Sequence, residues 1–356
     1  MKVIRVILLV LNILAALGLI ATTLAGGVSP SSNILPSVLA YGYLPMLGVN
    51  LLFLLLWLFR GKWLFLISTI AIVARFSFIG LFFQIGGTST IPPAEEHPGM
   101  VTLMSYNLHN FGGNGFESSP KDSIAREFLS LLREEQPQVL CLQEYASVKG
   151  MNITDSLEQM GYNHYFGARG ANAAPSGTVV FSKLPITFVK RIDLQKVLVE
   201  ILNGDKPFRL ICVHMDSYAF NLDDRNDIEQ MARLRIDSTS RRTMSKAKET
   251  VIRHETEWNE QLLPLISECS LPLIMAGDMN DIPSSHLYSQ ISRYLDDTYR
   301  DKGLGFGTTY NGSFPRFRID MVFHSKEFAT LSYRRIKTPI SDHYPVLVSL
   351  EMKGSA

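Results

Sequence analysis

Residues 271–281, Leu271-Pro-Leu-Ile-Met275-Ala-Gly277-Asp278-Met-Asn280-Asp281, decide how the chain is read. The apolar run has the length of a buried strand, and Gly277 lets the backbone turn tightly where it ends. Asp278 and Asn280 follow two residues apart, on one side of an extended chain. At a strand end the strand fixes the backbone and the loop frees the side chains. A carboxylate and an amide so placed can hold a water and a phosphate oxygen together. Taken alone, the string fits an Asx-capped turn better.

The rest of the chain gives it weight, because polar residues end other expected strands in a set order. Residues 101–105 lead to Asn107, 139–142 to Glu144, and 208–213 to His214. Beyond Asp278 and Asn280, a strand over 319–323 carries Asp320, and Asp342-His343 precedes one over 346–351. Further strands are expected near 162–166, 178–182, 196–203 and 331–337. A helix opens at Pro120 with Ile124, Ala125, Phe128, Leu131 and Leu132 on one face, and others cover 154–160, roughly 245–269, and 284–294. Strands with and without intervening helices imply a mixed α/β sheet system. Residues 303–307, Gly-Leu-Gly-Phe-Gly, read as a mobile loop. A polar insertion over 216–243 is acidic in its first half and basic in its second.

Upstream, the composition changes. Residues 4–25, 39–59 and 63–85 are apolar and of membrane-spanning length, so residues 1–86 read as an anchor of three transmembrane helices. Trp57 and Trp63 flank the Arg60-Gly-Lys62 turn, as interfacial aromatics do. Lys2, Arg5, Arg60 and Lys62 fall on one side, which puts the N-terminus in the cytoplasm and everything after residue 86 on the periplasmic or extracellular side. Arg75 is expected near mid-bilayer, facing the bundle or snorkelling. Residues 87–99, rich in Gly, Pro, Ser and Thr, read as a linker, and 100–356 as the catalytic domain.

Net charge is +1. Residues 1–96 hold five basic residues against Glu95 and Glu96, so the remaining 29 basic and 31 acidic residues leave the soluble part at −2. That is no footprint for non-specific nucleic-acid binding, although a metal ion can supply local positive charge. Cys141, Cys212 and Cys269 have no zinc-site spacing and read as small buried hydrophobes.

The ordered motifs SYNLHNF, LQEY, SGTVVFSKLPI, CVHMD, GDMNDIP, RIDMVF and SDHYPV, spanning about residues 100–352, resemble the endonuclease/exonuclease/phosphatase superfamily. The resemblance implies an α/β four-layer sandwich, two packed mixed sheets between helices, with the site at one edge. It implies Glu144 as the metal carboxylate, with Asn107 beside it and Asp342 as a second metal-side carboxylate. His214 and Asn280 would contact phosphate oxygens, Asp278 would orient or deprotonate the attacking water, and Asp320 would orient His343.

The residue types fit that chemistry independently. Phosphoester hydrolysis needs charge neutralisation and a placed nucleophile. Oxygen ligands such as Glu144, Asp342 and Asn107 suit one or two Mg²⁺ or Mn²⁺ ions. His343 with an Asp orienter is the usual base pairing, and the choice between His343 and Asp278 as base stays open. The expected function is a membrane-anchored, metal-dependent, nuclease-like phosphodiesterase whose phosphate-ester substrate is nucleic acid or a lipid head group. A lipid head-group phosphodiesterase, a phosphatase, and a non-catalytic membrane scaffold are the alternatives.

Overall fold

The computed structural model describes residues 2–112, 120–167, 176–218, 238–312 and 316–353. In chain order its strands are β1 (Phe83–Gln84), β2 (Met100–Asn107), β3 (Val139–Ala146), β4 (His164–Gly167), β5 (Ser176–Ser182), β6 (Ile186–Arg191) and β7 (Lys196–Asn203). They continue with β8 (Lys206–His214), β9 (Leu273–Asp278), β10 (Asp296–Asp297), β11 (Gly305–Phe306), β12 (Asp320–His324), β13 (Phe328–Arg335) and β14 (Val346–Met352).

Two six-stranded sheets form, in the orders β13-β14-β2-β3-β5-β4 and β10-β12-β9-β8-β7-β6. Each has one parallel pair at its centre, β2 with β3 and β8 with β9. The other pairings within these sheets are antiparallel. A parallel pair needs a crossover. The Lys121–Glu135 helix supplies the first, and Ser238–Glu257 with its continuation to Ser267 lies within the second.

Alternation within the strands makes the layers. Val101, Leu103, Val139 and Cys141 face Val199, Leu210, Cys212, Ile274 and Ala276 between the sheets. Their neighbours Met104, Tyr106, Leu140 and Leu142 turn outward onto Phe128, Leu132 and Leu157. On the far side Ile211, Val213, Met275 and Met321 pack on Trp258, Leu262, Leu287 and Ile291. Burial on both faces explains the near-continuous apolar runs of the central strands. The arrangement is helices, sheet, sheet, helices, as expected. The strand β6 was not expected: it is an exposed edge strand after Pro185, without the apolar alternation that marks a strand in sequence.

The N-terminal region departs further from expectation. Among the described residues only the Lys2–Ala21 helix is long and apolar enough to cross a bilayer. The second apolar helix, Tyr43–Phe59, starts later than residue 39, and the third, Phe65–Ala74, stops ten residues after it begins. Arg75 leaves the helical region at φ −121° and ψ 22°, so it sits at a helix end rather than mid-span. Leu81, Phe78 and Phe82 then pack on the outer face of the second sheet, and β1 pairs with β11. Their apolarity serves that contact, which no hydropathy reading distinguishes from a membrane span. The three helices still form a bundle: Asn50 Nδ2 donates to Ala15 O (2.8 Å) and Ser68 Oγ to Asn12 Oδ1 (2.6 Å), while Val3, Val10, Leu52, Phe59 and Ile70 are exposed.

Neither the linker nor the glycine loop is free. Thr88 O accepts from Tyr333 N (2.9 Å), and His97 Nδ1 meets Glu351 Oε1 (3.1 Å). The 303–307 loop, expected to be mobile, is clasped by β1 and by Tyr299 Oη, which donates to Gly305 O (2.6 Å). Most of the polar insertion, residues 219–237 with the acidic run and the first part of the basic run, lies outside the described residues, and Arg241 and Arg242 fall in the Ser238–Glu257 helix.

Gly277 is the backbone position on which β9 depends. Its φ is +150°, and an added Cβ would lie 1.8 Å from Val213 O in the neighbouring parallel strand. Gly277→Ala should therefore destabilise the protein by more than about 3 kcal/mol, readable as a lower denaturant midpoint.

Candidate active site

The carboxyl ends of the two parallel pairs meet at one rim of the sandwich. Strand register does most of the placing. His214 is paired with Asp278 and Asp278 with Asp320, so three site residues stand in a row across β8, β9 and β12. In the other sheet Asn107 ends β2 opposite Gln143. Glu144 takes φ +49° at a bulge in β3, and the break in the ladder re-aims its side chain. Asn280 is likewise left-handed, at φ +46°.

Asn107 joins the sheets. Its Nδ2 donates to Glu144 Oε1 (3.1 Å) and to Asp278 Oδ2 (3.0 Å), and its Oδ1 accepts from His109 N (3.0 Å). The His109 N–H fixes which way the amide faces. Asn107 therefore presents nitrogen to the carboxylates and clamps them.

Asp278 is buried, with its Oδ1 accepting from Asn280 N (2.8 Å). Its Oδ2 faces Asn107, His214 Nε2 (3.8 Å) and His343 Nε2 (3.8 Å). Burial, and then the charge of Asp320, raise its pKa above the ordinary carboxylate range, making it a stronger base than an exposed aspartate.

His343 Nδ1 contacts both oxygens of Asp320 at 3.1 and 2.9 Å, the expected orienting pair. Burial alone would lower the imidazole's pKa, but Asp320 and then Asp278 outweigh it and lift it from 6.5 to about 10. At neutral pH the ring is the cation of this site. His214 Nδ1 meets Gln195 Oε1 (3.1 Å), which turns Nε2 toward Glu144 Oε1 (3.8 Å) as well as Asp278. Asp342 lies apart from these carboxylates' shared contacts and faces His109 Nδ1 at 3.3 Å. Asn280 commits one amide proton to Met215 O (2.8 Å).

Several contributors escaped the sequence reading. Asn110 Nδ2 donates to Glu144 Oε2 (2.8 Å), Ser341 Oγ donates to Asn107 O (2.8 Å), and the Tyr310 ring packs edge-on to His343 with centroids 5.3 Å apart. Asn110 and Ser341 lie within motifs already singled out. Gln195 sits in a β6–β7 turn that carries no motif at all.

Glu144 opens to the cleft, its side chain 24% exposed. It is hydrogen-bonded by neutral amides, so its charge stays available to a cation. Asp278, Asp320 and His343 also offer ligand atoms within 4.8 Å of one another, but His343 Nδ1 is already taken by Asp320. The oxygen-rich set fits a hard divalent cation better than zinc.

Residues 104–343 match the family model described as Endonuclease/Exonuclease/phosphatase family. The chain belongs to this family. Residues 5–82 separately match a domain of unknown function. No curated protein matches the chain in sequence. The endonuclease/exonuclease/phosphatase fold is shared with the human Nocturnin catalytic domain, solved with a bound sulfate, at 16% identity, covering 74% of this chain and 100% of that one, with a TM-score of 0.51. Two further solved structures are similar at lower scores. The endonuclease/exonuclease/phosphatase from Beutenbergia cavernae is 18% identical over 72% of each chain, TM-score 0.48. The truncated Caenorhabditis elegans TDP2 is 13% identical over 72% of this chain and 99% of that one, TM-score 0.49.

The Asp320–His343 pair has a checkable signature. Because the folded pKa is raised, the stability it contributes is complete below about pH 6.5 and is lost as pH rises through about 10. Imidazole NMR should place the His343 midpoint near 10, and Asp320→Asn should bring it down toward 6.5 or lower.

Proposed function

We propose that the chain is a membrane-anchored, Mg²⁺- or Mn²⁺-dependent phosphoesterase that hydrolyses phosphodiester bonds, nuclease-like in its chemistry. The observation that carries this reading is the convergence on Asp278 Oδ2 of the Asn107 amide and the His214 and His343 imidazoles, with Glu144 alongside. Glu144 would hold the ion, with Asp342 as a further carboxylate at the same rim. Such an ion offsets phosphoryl charge and polarises the phosphorus centre.

The side chains supply the remaining chemistry. Asp278 accepts the proton of the attacking water, since burial has made it the more basic carboxylate. His343, kept protonated by Asp320, brings positive charge to the phosphoryl group and can protonate the leaving oxygen. His214 Nε2 and the second amide proton of Asn280 bind phosphoryl oxygens.

Anchoring rests on the inside-out bundle, apolar outside with Asn12, Asn50 and Ser68 hydrogen-bonded within. Residues near 26 and 40 and residues 81–88 all contact the catalytic domain, so that domain lies at the bundle end remote from Lys2, Arg5, Arg60 and Lys62. The positive-inside rule then supports a cytoplasmic N-terminus and a non-cytoplasmic catalytic domain. The same docking favours a second reading, a phospholipid or sphingolipid head-group phosphodiesterase, because it sets the catalytic rim beside the bundle end. The soluble part's −2 charge also weakens the case for nucleic acid.

Purified full-length protein should hydrolyse bis-p-nitrophenyl phosphate, stop on chelation, and recover with Mg²⁺ or Mn²⁺. Glu144→Ala and His343→Ala should each cost at least about 100-fold in kcat. Full activity in either variant overturns the assignment, and a wild type inert toward diesters with either metal leaves the scaffold reading. Parallel assays on DNA, RNA and sphingomyelin vesicles decide the substrate. A reporter fused after Ala356 that works only in the cytoplasm should stay silent.

A further inference from the structure

The segment between the first two apolar helices reaches the catalytic rim. Ser284 Oγ donates to Ala40 O (3.1 Å), His286 Nδ1 contacts Ala25 O (3.2 Å), and Ser31 N donates to Glu255 Oε2 (3.0 Å). Tyr41 follows Ala40 directly and is half-buried. The Tyr41 hydroxyl lies 3.3 Å from Asp281 Oδ1 and 2.5 Å from the Tyr218 hydroxyl.

Asp281 directly follows Asn280, and Tyr218 lies four residues after His214. Tyr41 therefore spans the two chain segments, 214–218 and 278–282, that carry His214, Asp278 and Asn280. Those segments are also tied to each other. Met215 N donates to Asp278 O (2.9 Å), and Asn280 Nδ2 returns to Met215 O (2.8 Å). Buried His254 adds a third tie, with Nε2 on Asp216 O (2.7 Å) and Nδ1 facing Asp281 Oδ2 (3.5 Å). A carbonyl only accepts, so Nε2 carries a proton, and an imidazolium satisfies both contacts.

We infer that Tyr41 is a positioning residue of the active site: its hydroxyl, carried by the N-terminal segment, straps 214–218 to 278–282 and so holds His214 in register with Asp278. The inference rests on the phosphoesterase reading, and it makes the N-terminal segment part of the catalytic apparatus rather than a tether alone. The Tyr41 ring has a separate packing contact, edge-on to Phe317 with centroids 5.6 Å apart. Tyr41→Phe keeps that contact and removes only the strap.

The test uses full-length protein in detergent, Mn²⁺ and bis-p-nitrophenyl phosphate. Tyr41→Phe should lower kcat about tenfold while KM stays within about twofold, because a small misplacement of reacting groups acts on the chemical step. Amide hydrogen exchange should quicken in 214–218 and 278–282, with the melting temperature unchanged. Ser289→Ala touches the same interface through Gly26 O (3.4 Å) but not the strap, and should keep wild-type kcat. Wild-type kcat and exchange in Tyr41→Phe overturn the inference, as does an equal loss in Ser289→Ala. A wild-type chain that hydrolyses nothing overturns the phosphoesterase reading instead, and the exchange comparison still decides whether the strap exists.

Discussion

One side-chain amide holds the two halves of the candidate site together. Asn107 leaves the first sheet and donates both protons of its Nδ2, one to Glu144 of its own sheet and one to Asp278 of the other. Hydrogen bonds to charged groups are worth about 1.5–3 kcal/mol each, and an unpaired buried carboxylate costs more than that. A donor between two acids from different sheets lets them share a small volume. The His109 N–H keeps the amide from rotating away, and Ser341 Oγ holds the Asn107 carbonyl. Glu144 and Asp278 thereby face one cleft, one open to a cation and the other buried and basic.

Around that joint the site follows from sheet geometry. Parallel pairing puts the carboxyl ends of neighbouring strands at the same edge, and both central pairs end at one rim. The register then aligns His214, Asp278 and Asp320 in one row. Gly277 permits the close approach of β9 to Val213. Positive φ at Glu144 and Asn280 is the local strain that turns those side chains into the cleft, stable because the flanking strands are fully buried.

The residues readable in the sequence were those that end apolar strands, because a polar group after such a run is conspicuous. His214 and Asp278 stand out that way, Asp320 stands at the start of such a run, and the structure brings the three within reach of His343 and Glu144. Asn110 and Ser341 act through short loops where position depends on backbone turns, and Gln195 arrives from a strand turn distant in sequence. The apolar stretch 63–85 misled for a different reason. A helix buried in lipid and a segment buried against a sheet have the same composition, and only the helix end at Ala74 with the contacts of Leu81 and Phe82 separates them. The edge strand β6 and the clasped glycine loop were missed because exposure and glycine both suggest a free chain.

Diffraction from crystals soaked in Mn²⁺, collected at the manganese edge, would test the shared cleft most directly. An anomalous peak within coordination distance of the Glu144 carboxylate, on the side facing Asp278 and His343, is the expected result. A peak bound elsewhere, with Glu144 still held by Asn107, Asn110 and His214, would contradict it.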